Sequence, residues 1–384
     1  MTIAPTRVLV APDKFKGSLT AAQVASHLGR GLRARGLHVD ELPLADGGDG
    51  SVDAAVAAGF RPVPVTVAGA TGRPHTALIA LHSNGTAVVE VANTCGLHTL
   101  PGGHLAPLAA SSAGAGQAFR AAIGLGARRV VLALGGSAGT DGGTGLLTAL
   151  GAALRDRAGR TIAAAGGTLS RIVTIDLAGL PDLTNVELII ASDVGNPLTG
   201  PTGAAAVYGP QKGATAQDVN TLDNGLRHLV DLLTAHRPDA ADLAHKPGAG
   251  AAGGLGFAGL FLGGRIVSGA EFFLDLLDFD THVAQADLVI TGEGRIDDQT
   301  AAGKLPAVVA RRSRPRPVIA VVGRSDISPA ATTRMGLTAV HALTDHTDRN
   351  PAADPTLTRE LLIELGRTLP LPTPRLMEVG AAAS

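Results

Sequence analysis

Both ends of this chain carry the same strand–loop–helix pattern, and the middle of the chain does not. Short apolar runs rich in β-branched residues alternate with stretches whose apolar residues recur at helical spacing. The strands are predicted at 7–13, 38–48, 286–291, 317–323 and 337–343, and the helices at 18–34, 51–59, 301–312 and 356–367. This alternation is typical of a parallel sheet covered by helices. The two N-terminal and three C-terminal strands therefore predict one five-stranded parallel sheet.

The middle of the chain follows a different pattern. From 60 to 97 apolar and polar residues alternate with a period of two, and SNGT at 83–86 is a hairpin signal. Further helices and strands are predicted at 111–125, 128–136, 143–153, 186–194, 216–235 and 250–262. The sequence thus predicts an α/β protein of two domains. Residues 1–60 and 286–384 form a discontinuous domain, and 61–285 form an α/β domain inserted into it. The tail after 368 is expected to be poorly ordered.

Composition excludes several classes of protein. The 384 residues include 32 basic and 33 acidic side chains, so there is no basic field for nucleic acid. Cys95 is the one cysteine, which excludes an intramolecular disulfide and favours a small buried apolar residue. The N-terminus lacks a signal-peptide pattern, and the longest charge-free apolar stretch, 248–264, is nearly half glycine. These features predict a cytoplasmic protein that does not cross a membrane.

Ionisable residues gather in glycine-rich loops that directly follow predicted strands. In an open parallel sheet, ligands bind at the carboxyl ends of the strands. One acidic loop is usually a solvated turn, but several such loops together favour a binding site. The segments are PDKFKGS (12–18), ADGGDGS (45–51), GGSAGTDGGTG (135–145), ASDVGNPLTGPTGAAAVYGPQKG (191–213) and GEGRIDDQTAAGK (292–304).

The residue types in these loops suit phosphoryl transfer. Glycine lets backbone N–H groups approach an anion, lysine adds a positive charge, and carboxylates hold Mg²⁺ or accept a hydroxyl proton. The segment 135–145 leads directly into a predicted helix, so it is the best candidate for an anion site at a helix N-terminus. The alternative is a glycine-rich turn that serves only packing.

Other catalytic patterns are absent or lack the right context. GAGAAG (248–253) and GLGFAG (254–259) match the dinucleotide fingerprint G-x-G-x-x-G, but neither follows a convincing strand. The sequence has no Walker A motif, no H-E-x-x-H zinc motif and no G-x-S-x-G nucleophile elbow.

Long blocks of the sequence resemble the glycerate kinase family, in its bacterial type I class. They are APDKFKGSLTA, PLADGGDGS, LGGSAGTDGGTGLLTALGA, ASDVGNPLTGPTGAAAVYGPQKGAT, PGAGAAGGLG and ITGEGRIDDQTAAGKLP, in this order. The resemblance runs from about 7 to 345. It implies a flavodoxin-like domain built from both chain ends, an inserted α/β domain and an active site in the cleft between them.

The resemblance also implies the reaction. An enzyme of this family phosphorylates D-glycerate with ATP and Mg²⁺, usually at the 2-hydroxyl. The implied partners are glycerate and ATP, with no nucleic acid and no membrane, and the protein is expected to be a monomer or homodimer. The remaining alternatives are phosphorylation at the 3-hydroxyl, a non-catalytic sugar-acid binding protein and a dehydrogenase with an unusual nucleotide site.

This chain departs from the family pattern at three places. Thr140 stands where the family usually has Asn, and Asp49 stands where it usually has Glu. The segment 93–114 is also looser than usual, because a basic residue commonly precedes its Asn-Pro-like element. These changes bear on substrate placement more than on the class of reaction.

Roles for individual residues follow as hypotheses. Asp193 is the first choice for the base that orients or deprotonates the attacking hydroxyl, and Asp297 and Asp46 are the next. The other candidates are Asp13, Lys14, Lys16 and Arg295 for the substrate, Gly135, Gly136, Ser137, Thr140 and Lys212 for the ATP phosphates, and Asp141, Asp49 and Glu293 for Mg²⁺.

Overall fold

Strands and helices alternate along the computed structural model, which describes residues 6–298, 300 and 304–372. The strands are β1 (Arg7–Pro12), β2 (His38–Glu41), β3 (Arg61–Ala68), β4 (Pro74–Leu81), β5 (Thr86–Glu90), β6 (Arg129–Ala133), β7 (Ala153–Arg155), β8 (Thr174–Asp176), β9 (Glu187–Ala191), β10 (Arg265–Val267), β11 (Leu288–Gly292), β12 (Arg295–Ile296), β13 (Val318–Val322), β14 (Arg324–Ser325) and β15 (Ala339–Ala342). The helices are α1 (Ala21–Arg33), α2 (Ser51–Ala57), α3 (Val91–Cys95), α4 (Ala113–Gly124), α5 (Thr144–Leu150), α6 (Ala204–Tyr208), α7 (Ala216–Thr234), α8 (Ala240–His245), α9 (Leu255–Phe261), α10 (Gly269–Leu276), α11 (Phe279–Gln285), α12 (Leu305–Arg312), α13 (Pro329–Met335) and α14 (Pro355–Thr368).

The chain divides into two compact units. The first comprises Met1–Leu44 and Asp278–Ser384, and the second comprises Ala45–Leu277. Both boundaries lie earlier in the chain than residues 60 and 286, where the sequence pattern placed them. The reason is packing: α2 packs on β4 and β5 of the second unit, and α11 contacts β1 of the first.

The first unit contains the predicted five-stranded parallel sheet, with strand order β15-β13-β11-β1-β2. Read from β2 and counted over the strands of this sheet alone, the order is 2-1-3-4-5, which is the flavodoxin-like order. Its central strands β11 and β13 are buried along their whole length, as expected for strands covered by helices on both faces. Pro12 pairs with Gly292, so the loops after β1 and β11 leave the sheet at the same edge.

Helix α1 shows how local sequence and packing agree in this unit. Thr20 and Gln23 form a capping box at its N-terminus. Its buried face contacts α14, and a pair of glycines, Gly31 and Gly366, lie against each other in this contact.

The second unit is built on a six-stranded mixed sheet of order β10-β9-β6-β5-β4-β3. β3, β4 and β5 are antiparallel neighbours, which confirms the alternating pattern and the hairpin turn read from 60–97. β5, β6, β9 and β10 run parallel to one another. Cys95 is buried in the core of this unit, as predicted. The small β7–β8 sheet was not predicted from the sequence.

Two predictions fall partly outside the described residues. Leu369 is buried and its carbonyl accepts a 2.7 Å hydrogen bond from Arg35 Nη1, so the expectation of poor order is wrong at the first residue of the tail. Residues 373–384 lie outside the described part. The helix expected at 301–312 is described from Leu305 onward, and 301–303 lie outside the described residues. Among the described helices, none combines the length and the apolar character that a bilayer crossing requires.

The glycine pair between α1 and α14 generates a stability prediction. A Cβ added to Gly31 would lie 2.2 Å from the carbonyl oxygen of Ile363 and 2.8 Å from the Cα of Gly366. We expect Gly31→Ala to force the two helices apart and to destabilise their packing by about 1 to 3 kcal/mol. Native-state hydrogen exchange of the α1 amides measures this loss. Gly124→Ala is the control, because no atom lies within 4 Å of the added methyl; equal α1 exchange in both variants would contradict the prediction.

Candidate active site

In the second unit, three parallel strands end at the same level. Glu90, the last residue of β5, pairs with Ala133 of β6, and Ala133 pairs with Ala191 of β9. The loops that follow these strands therefore leave the sheet at one edge, where ligands bind in open parallel sheets. This edge carries the candidate residues of the second unit.

The loop 45–50 reaches the same edge by close backbone contact. A Cβ added to Gly135 would lie 2.4 Å from the Cα of Gly48, and one added to Gly47 would lie 3.0 Å from the carbonyl oxygen of Ala191. The amide of Gly135 also donates to the carbonyl of Gly47 at 3.1 Å. Glycines at these positions allow the loop that carries Asp46 to pack against the ends of β6 and β9.

Asp193 follows β9 and is held by the start of α10. Its Oδ1 accepts from Ser268 Oγ at 2.7 Å, and its Oδ2 accepts from the amide of Ala270 at 3.1 Å. The residue keeps an exposed face, yet the surrounding protein desolvates its carboxyl group, and the nearby charge of Asp46 acts in the same direction. Together they raise its pKa to about 6, against the lowering effect of the hydrogen bonds. Asp193 is thus an ionised, desolvated acceptor near neutral pH, as a general base requires.

Glu90 is a site residue that the sequence reading missed. Its side chain is 3% exposed, and its Oε2 accepts from the amide of Val52 at 3.0 Å. Burial raises its pKa to about 7, and the charges of Asp49 and Asp53 contribute to the rise. Burial and Asp49 also raise the pKa of Asp53. The signal available in the sequence was a lone carboxylate within the apolar run TAVVEVA (86–92).

The loop after β6 has unpaired backbone donors. Gly136 adopts a left-handed conformation with φ 77°, and residues 137–141 are buried. Within residues 6–298, 300 and 304–372, no acceptor is found for the amide N–H groups of Gly136, Ser137, Gly139, Thr140 and Asp141. The buried hydroxyl of Thr140 also has no partner in this part of the chain. Buried donors are normally paired, so such a run of N–H groups is suited to an anion that binds there.

Lys212 places a buried positive charge beside this loop. Its side chain is 3% exposed, and its Nζ donates to Ser137 Oγ at 2.9 Å and to the carbonyl of Gly139 at 2.5 Å. Burial lowers its pKa to about 8, and the charge of Asp141 acts against this shift. The side-chain amino group of Lys212 is therefore mostly protonated at neutral pH. Its hydrogen bonds fix the loop, and its charge makes the surroundings of the loop more positive.

Asp141 serves the local structure of the same loop. One of its oxygens accepts from the amide of Gly143, and the other accepts from the amide and hydroxyl of Ser112 and from the amide of Gly145. These donors surround the carboxylate at the start of α5 and leave little room for a metal ion. The geometry thus favours a helix-capping role for Asp141 over the Mg²⁺ role suggested by the sequence.

In the first unit, the loop after β1 brings a cation and a carboxylate together. The amide of Asp13 donates to the carbonyl of Gly292 at 2.8 Å, which ties this loop to the end of β11. Lys14 donates its amide to Asp13 Oδ1 at 2.7 Å, and its Nζ lies 3.7 Å from the same oxygen. Lys16 is exposed, and its backbone lies close to Gly294.

The loop after β11 carries the remaining candidates. Glu293 Oε1 accepts from Thr300 Oγ1 at 2.9 Å, and Asp297 accepts from the amide of Thr300 at 3.3 Å. Lys304 Nζ lies 3.7 Å from Asp297 Oδ1. Thr300 thus links the carboxylates of Glu293 and Asp297, and Lys304 lies beside Asp297.

Arg295 is engaged by a partner that the sequence reading did not identify. Its guanidinium Nε donates to Asp326 Oδ2 at 2.7 Å, and Arg324 donates to the other oxygen of Asp326 at 3.0 Å. These hydrogen bonds lower the pKa of Asp326. Arg295 is exposed and forms an ion pair with the carboxylate of Asp326.

Comparison with known proteins now identifies the family. The sequence profile of the glycerate kinase family matches residues 8–364. The chain belongs to the glycerate kinase family. It is 41% identical over 345 residues to the glycerate kinase of Bacillus subtilis strain 168, covering 88% of this chain and 90% of that protein. It is 38% identical over 347 residues to the glycerate 2-kinase of Escherichia coli K12, with the same coverage of both chains.

A solved structure agrees with this membership. The crystal structure of a Salmonella typhimurium LT2 protein described as a candidate glycerate kinase 2 superposes with a TM-score of 0.77 at 38% identity. The match covers 95% of this chain and 97% of that one. The resemblance read from the sequence blocks is confirmed, as are the mixed α/β fold and the enzyme class, a kinase.

Among the residues that the structure describes, no group of three or more His, Cys, Asp and Glu side chains is arranged to hold a metal ion. Mg²⁺ in kinases is commonly held by one or two carboxylates together with substrate phosphates and water. Asp49 would fit this mode, because its carboxylate offers hard oxygen donors and lies near the carboxylate of Asp53.

The buried Glu90 generates a prediction about pH and stability. Its folded pKa of about 7 lies above the ordinary 4.5, so its favourable contribution is full below pH 4.5 and is lost as the pH rises through 7. We expect Glu90→Gln to be more stable than the unmodified protein at pH 8, by about 2 kcal/mol. Urea unfolding across pH 4.5 to 8 measures this difference.

A surface carboxylate provides the control of opposite sign. Hydrogen bonds from Arg129 and Arg265 lower the pKa of Glu187, so its contribution is present above the ordinary pKa and is lost on acidification. Glu187→Gln should therefore give no gain at pH 8. Parallel stability curves for the unmodified protein and Glu90→Gln would contradict the assignment for Glu90.

Proposed function

We propose that this chain transfers the γ-phosphoryl group of ATP to the 2-hydroxyl of D-glycerate, giving 2-phosphoglycerate, as a cytoplasmic enzyme. The observation that carries the proposal is the loop 136–141, where the amides other than that of Ala138 have no acceptor among the described residues; it lies beside the ammonium of Lys212, at the same sheet edge as Asp193. The relative named glycerate 2-kinase supports the choice of hydroxyl.

The loop and Lys212 are assigned to the phosphates of ATP. Phosphoryl transfer involves little covalent chemistry by the protein, so it depends on positioning and on stabilisation of negative charge. Fixed N–H groups and a buried ammonium meet both needs, since they are oriented before the ligand arrives. Ser137 and Gly139 are held by Lys212 itself, and Gly135 is held by Gly47.

Asp193 is assigned to the hydroxyl that attacks. Above pH 6 its carboxylate is ionised, and one hydrogen bond from Ser268 and one from the amide of Ala270 fix its orientation. The hydroxyl oxygen forms a bond to the γ-phosphorus while the bond to the bridging oxygen breaks, and ADP leaves. The hydroxyl proton passes to Asp193. Asp46 lies close enough to raise the pKa of this base, so its assigned role is electrostatic.

The cations of the first unit are assigned to the anionic groups of the substrate. Lys14 and Lys16 follow β1, and Arg295 follows β11, so all three lie at the edge where this sheet offers a ligand site. Asp13 orients Lys14 through a 2.7 Å hydrogen bond to its amide. That one active site uses residues of both units stays a prediction, as do the base role of Asp297 and the metal role of Glu293.

Mg²⁺ is proposed to bind with the nucleotide. Asp49 and Glu293 are the carboxylates assigned to it, with the phosphates completing the oxygen ligands. When bound, the ion would neutralise charge on the β- and γ-phosphates.

A coupled ADP-release assay with D-glycerate, L-glycerate and related hydroxy acids tests the reaction. We expect turnover with D-glycerate and ATP, and phosphorus NMR of the product should show a phosphate ester at carbon 2. An ester at carbon 3 would support the 3-phosphoglycerate alternative. Glycerate binding without ADP release would support a non-catalytic binding protein.

The role of Asp193 gives a mutational prediction. Asp193→Asn keeps the size of the side chain but cannot accept the proton, so we expect kcat to fall by about 100-fold or more. The unmodified enzyme should lose kcat below pH 6, and the variant should lack this dependence. Asp182→Asn is the control, because Asp182 precedes the amino end of β9. Near-normal turnover of Asp193→Asn, with circular dichroism unchanged, would remove Asp193 from the base role.

The role of Lys212 gives a second mutational prediction. Lys212→Met removes the buried charge and the donors to Ser137 and Gly139, so we expect the KM for ATP to rise by about tenfold or more. In the unmodified enzyme, ATP affinity should weaken as the pH rises through 8, where Lys212 loses its proton. The exposed Lys246 supplies the control variant Lys246→Met. An unchanged KM for ATP in Lys212→Met would contradict the assignment.

A further inference from the structure

Helix α2 begins without a cap of its own. Its N-cap residue is Gly50, which has φ 93° and no side chain to accept hydrogen bonds. The first N–H groups of a helix have no partner within the helix and must be satisfied from elsewhere. Here the acceptor comes from a neighbouring strand: Glu90, at the end of β5, accepts from the amide of Val52 at 3.0 Å, and the backbone of Gly50 adds a further interaction.

The start of α2 in turn fixes the loop before it. Ser51 Oγ donates to the carbonyl of Gly48 at 2.6 Å, and the amide of Gly48 donates to Asp46 Oδ1 at 3.0 Å. Ser51 is buried, so this connection is shielded from water. A continuous set of bonds thus runs from Glu90, through the first turn of α2, to the carboxylate of Asp46.

Asp46 is the loop residue that acts on Asp193. The carbonyl of Asp46 packs against Gly269 at the start of α10, and its charge is felt at the carboxylate of Asp193. A shift of the loop would therefore change the surroundings of the proposed base without removing any group that touches substrate.

A buried glutamate at position 90 favours a role beyond the stability of α2. In the described part of the chain, no Lys, Arg or His forms an ion pair with Glu90, and the nearby charges of Asp49 and Asp53 are unfavourable to it. Position 50 has φ 93°, where a serine or aspartate would be strained, so the N-cap residue cannot supply the acceptor itself. A cap from β5 instead ties the start of α2 to the edge of the sheet where β6 and β9 also end.

We propose that Glu90 is a positioning residue for phosphoryl transfer: by capping α2 from the end of β5, it holds the loop 45–50 so that Asp46 stays beside Asp193. The inference rests on the function proposed above. It assigns Glu90 no contact with substrate, so its effect must pass through the loop.

Three variants test this role. Glu90→Ala removes the acceptor, and Glu90→Gln keeps a neutral acceptor at the same position. Asp218→Ala removes the carboxylate that accepts from the amide of Thr215 in the capping box of α7, in the same unit. For each, hydrogen exchange of the amides at 46–53 and the kcat and KM with D-glycerate and ATP are measured. Glu90→Ala should speed exchange at 46–53 and lower kcat by about tenfold or more, with the KM for ATP changed by less than about threefold.

The other variants separate positioning from general destabilisation. Glu90→Gln should restore exchange and bring kcat within about threefold of the unmodified enzyme, while Asp218→Ala should change neither. Kcat that is retained in Glu90→Ala despite faster exchange at 46–53 would overturn the proposal, as would unchanged exchange there. An equal loss of kcat in Asp218→Ala would also overturn it.

Two further arms keep the test decisive. If Glu90→Ala does not fold, Glu90→Asp takes its place, since the shorter side chain withdraws the acceptor from Val52 and should produce the same two changes. If the unmodified protein does not release ADP with any glycerate, the proposed function fails. The exchange measurement then still shows whether Glu90 holds the loop, and unchanged exchange in Glu90→Ala would overturn that part on its own.

Discussion

The level at which β5, β6 and β9 end is the constraint on which the rest of the second unit depends. Because Glu90, Ala133 and Ala191 are direct neighbours across parallel strands, the segments after them must share one edge of the sheet. Glycines then let the loop 45–50 and the loop after β6 touch backbone to backbone, where any side chain would separate them. A change in strand register would disperse the amides, the lysine and the carboxylates together.

This crowding has an electrostatic consequence that agrees with the proposed reaction. Desolvation and the charge of Asp46 raise the pKa of Asp193 to about 6, whereas burial lowers the pKa of Lys212 to about 8. Between these values, the proposed base is ionised and the proposed phosphate-binding lysine is protonated. The same edge of the sheet therefore sets the two protonation states that phosphoryl transfer needs near neutral pH.

The sequence predicted the features that short-range patterns encode, and it missed those that depend on distant partners. Apolar runs at both chain ends were enough to predict the five-stranded parallel sheet. The capping role of Glu90 depends on the amide of Val52, which lies 38 residues away in the chain. No local sequence pattern reveals this contact. The structural role of Asp141 depends in the same way on Ser112, which lies in a separate segment. The first domain boundary was placed too late because the strand–loop–helix pattern includes α2, although α2 packs on the other sheet.

Binding of the ATP phosphates by the amides of the loop after β6 is the step on which the proposed reaction depends. It is tested most directly by amide NMR of protein labelled with ¹⁵N-glycine and ¹⁵N-serine, titrated with ATP and Mg²⁺. If these amides bind the phosphates, the amide signals of Gly136, Ser137 and Gly139 shift on ATP binding and become protected from exchange. The amide signals of Gly124 and Gly159 do not change. Saturable ATP binding that leaves the amides of Gly136, Ser137 and Gly139 unshifted would contradict it.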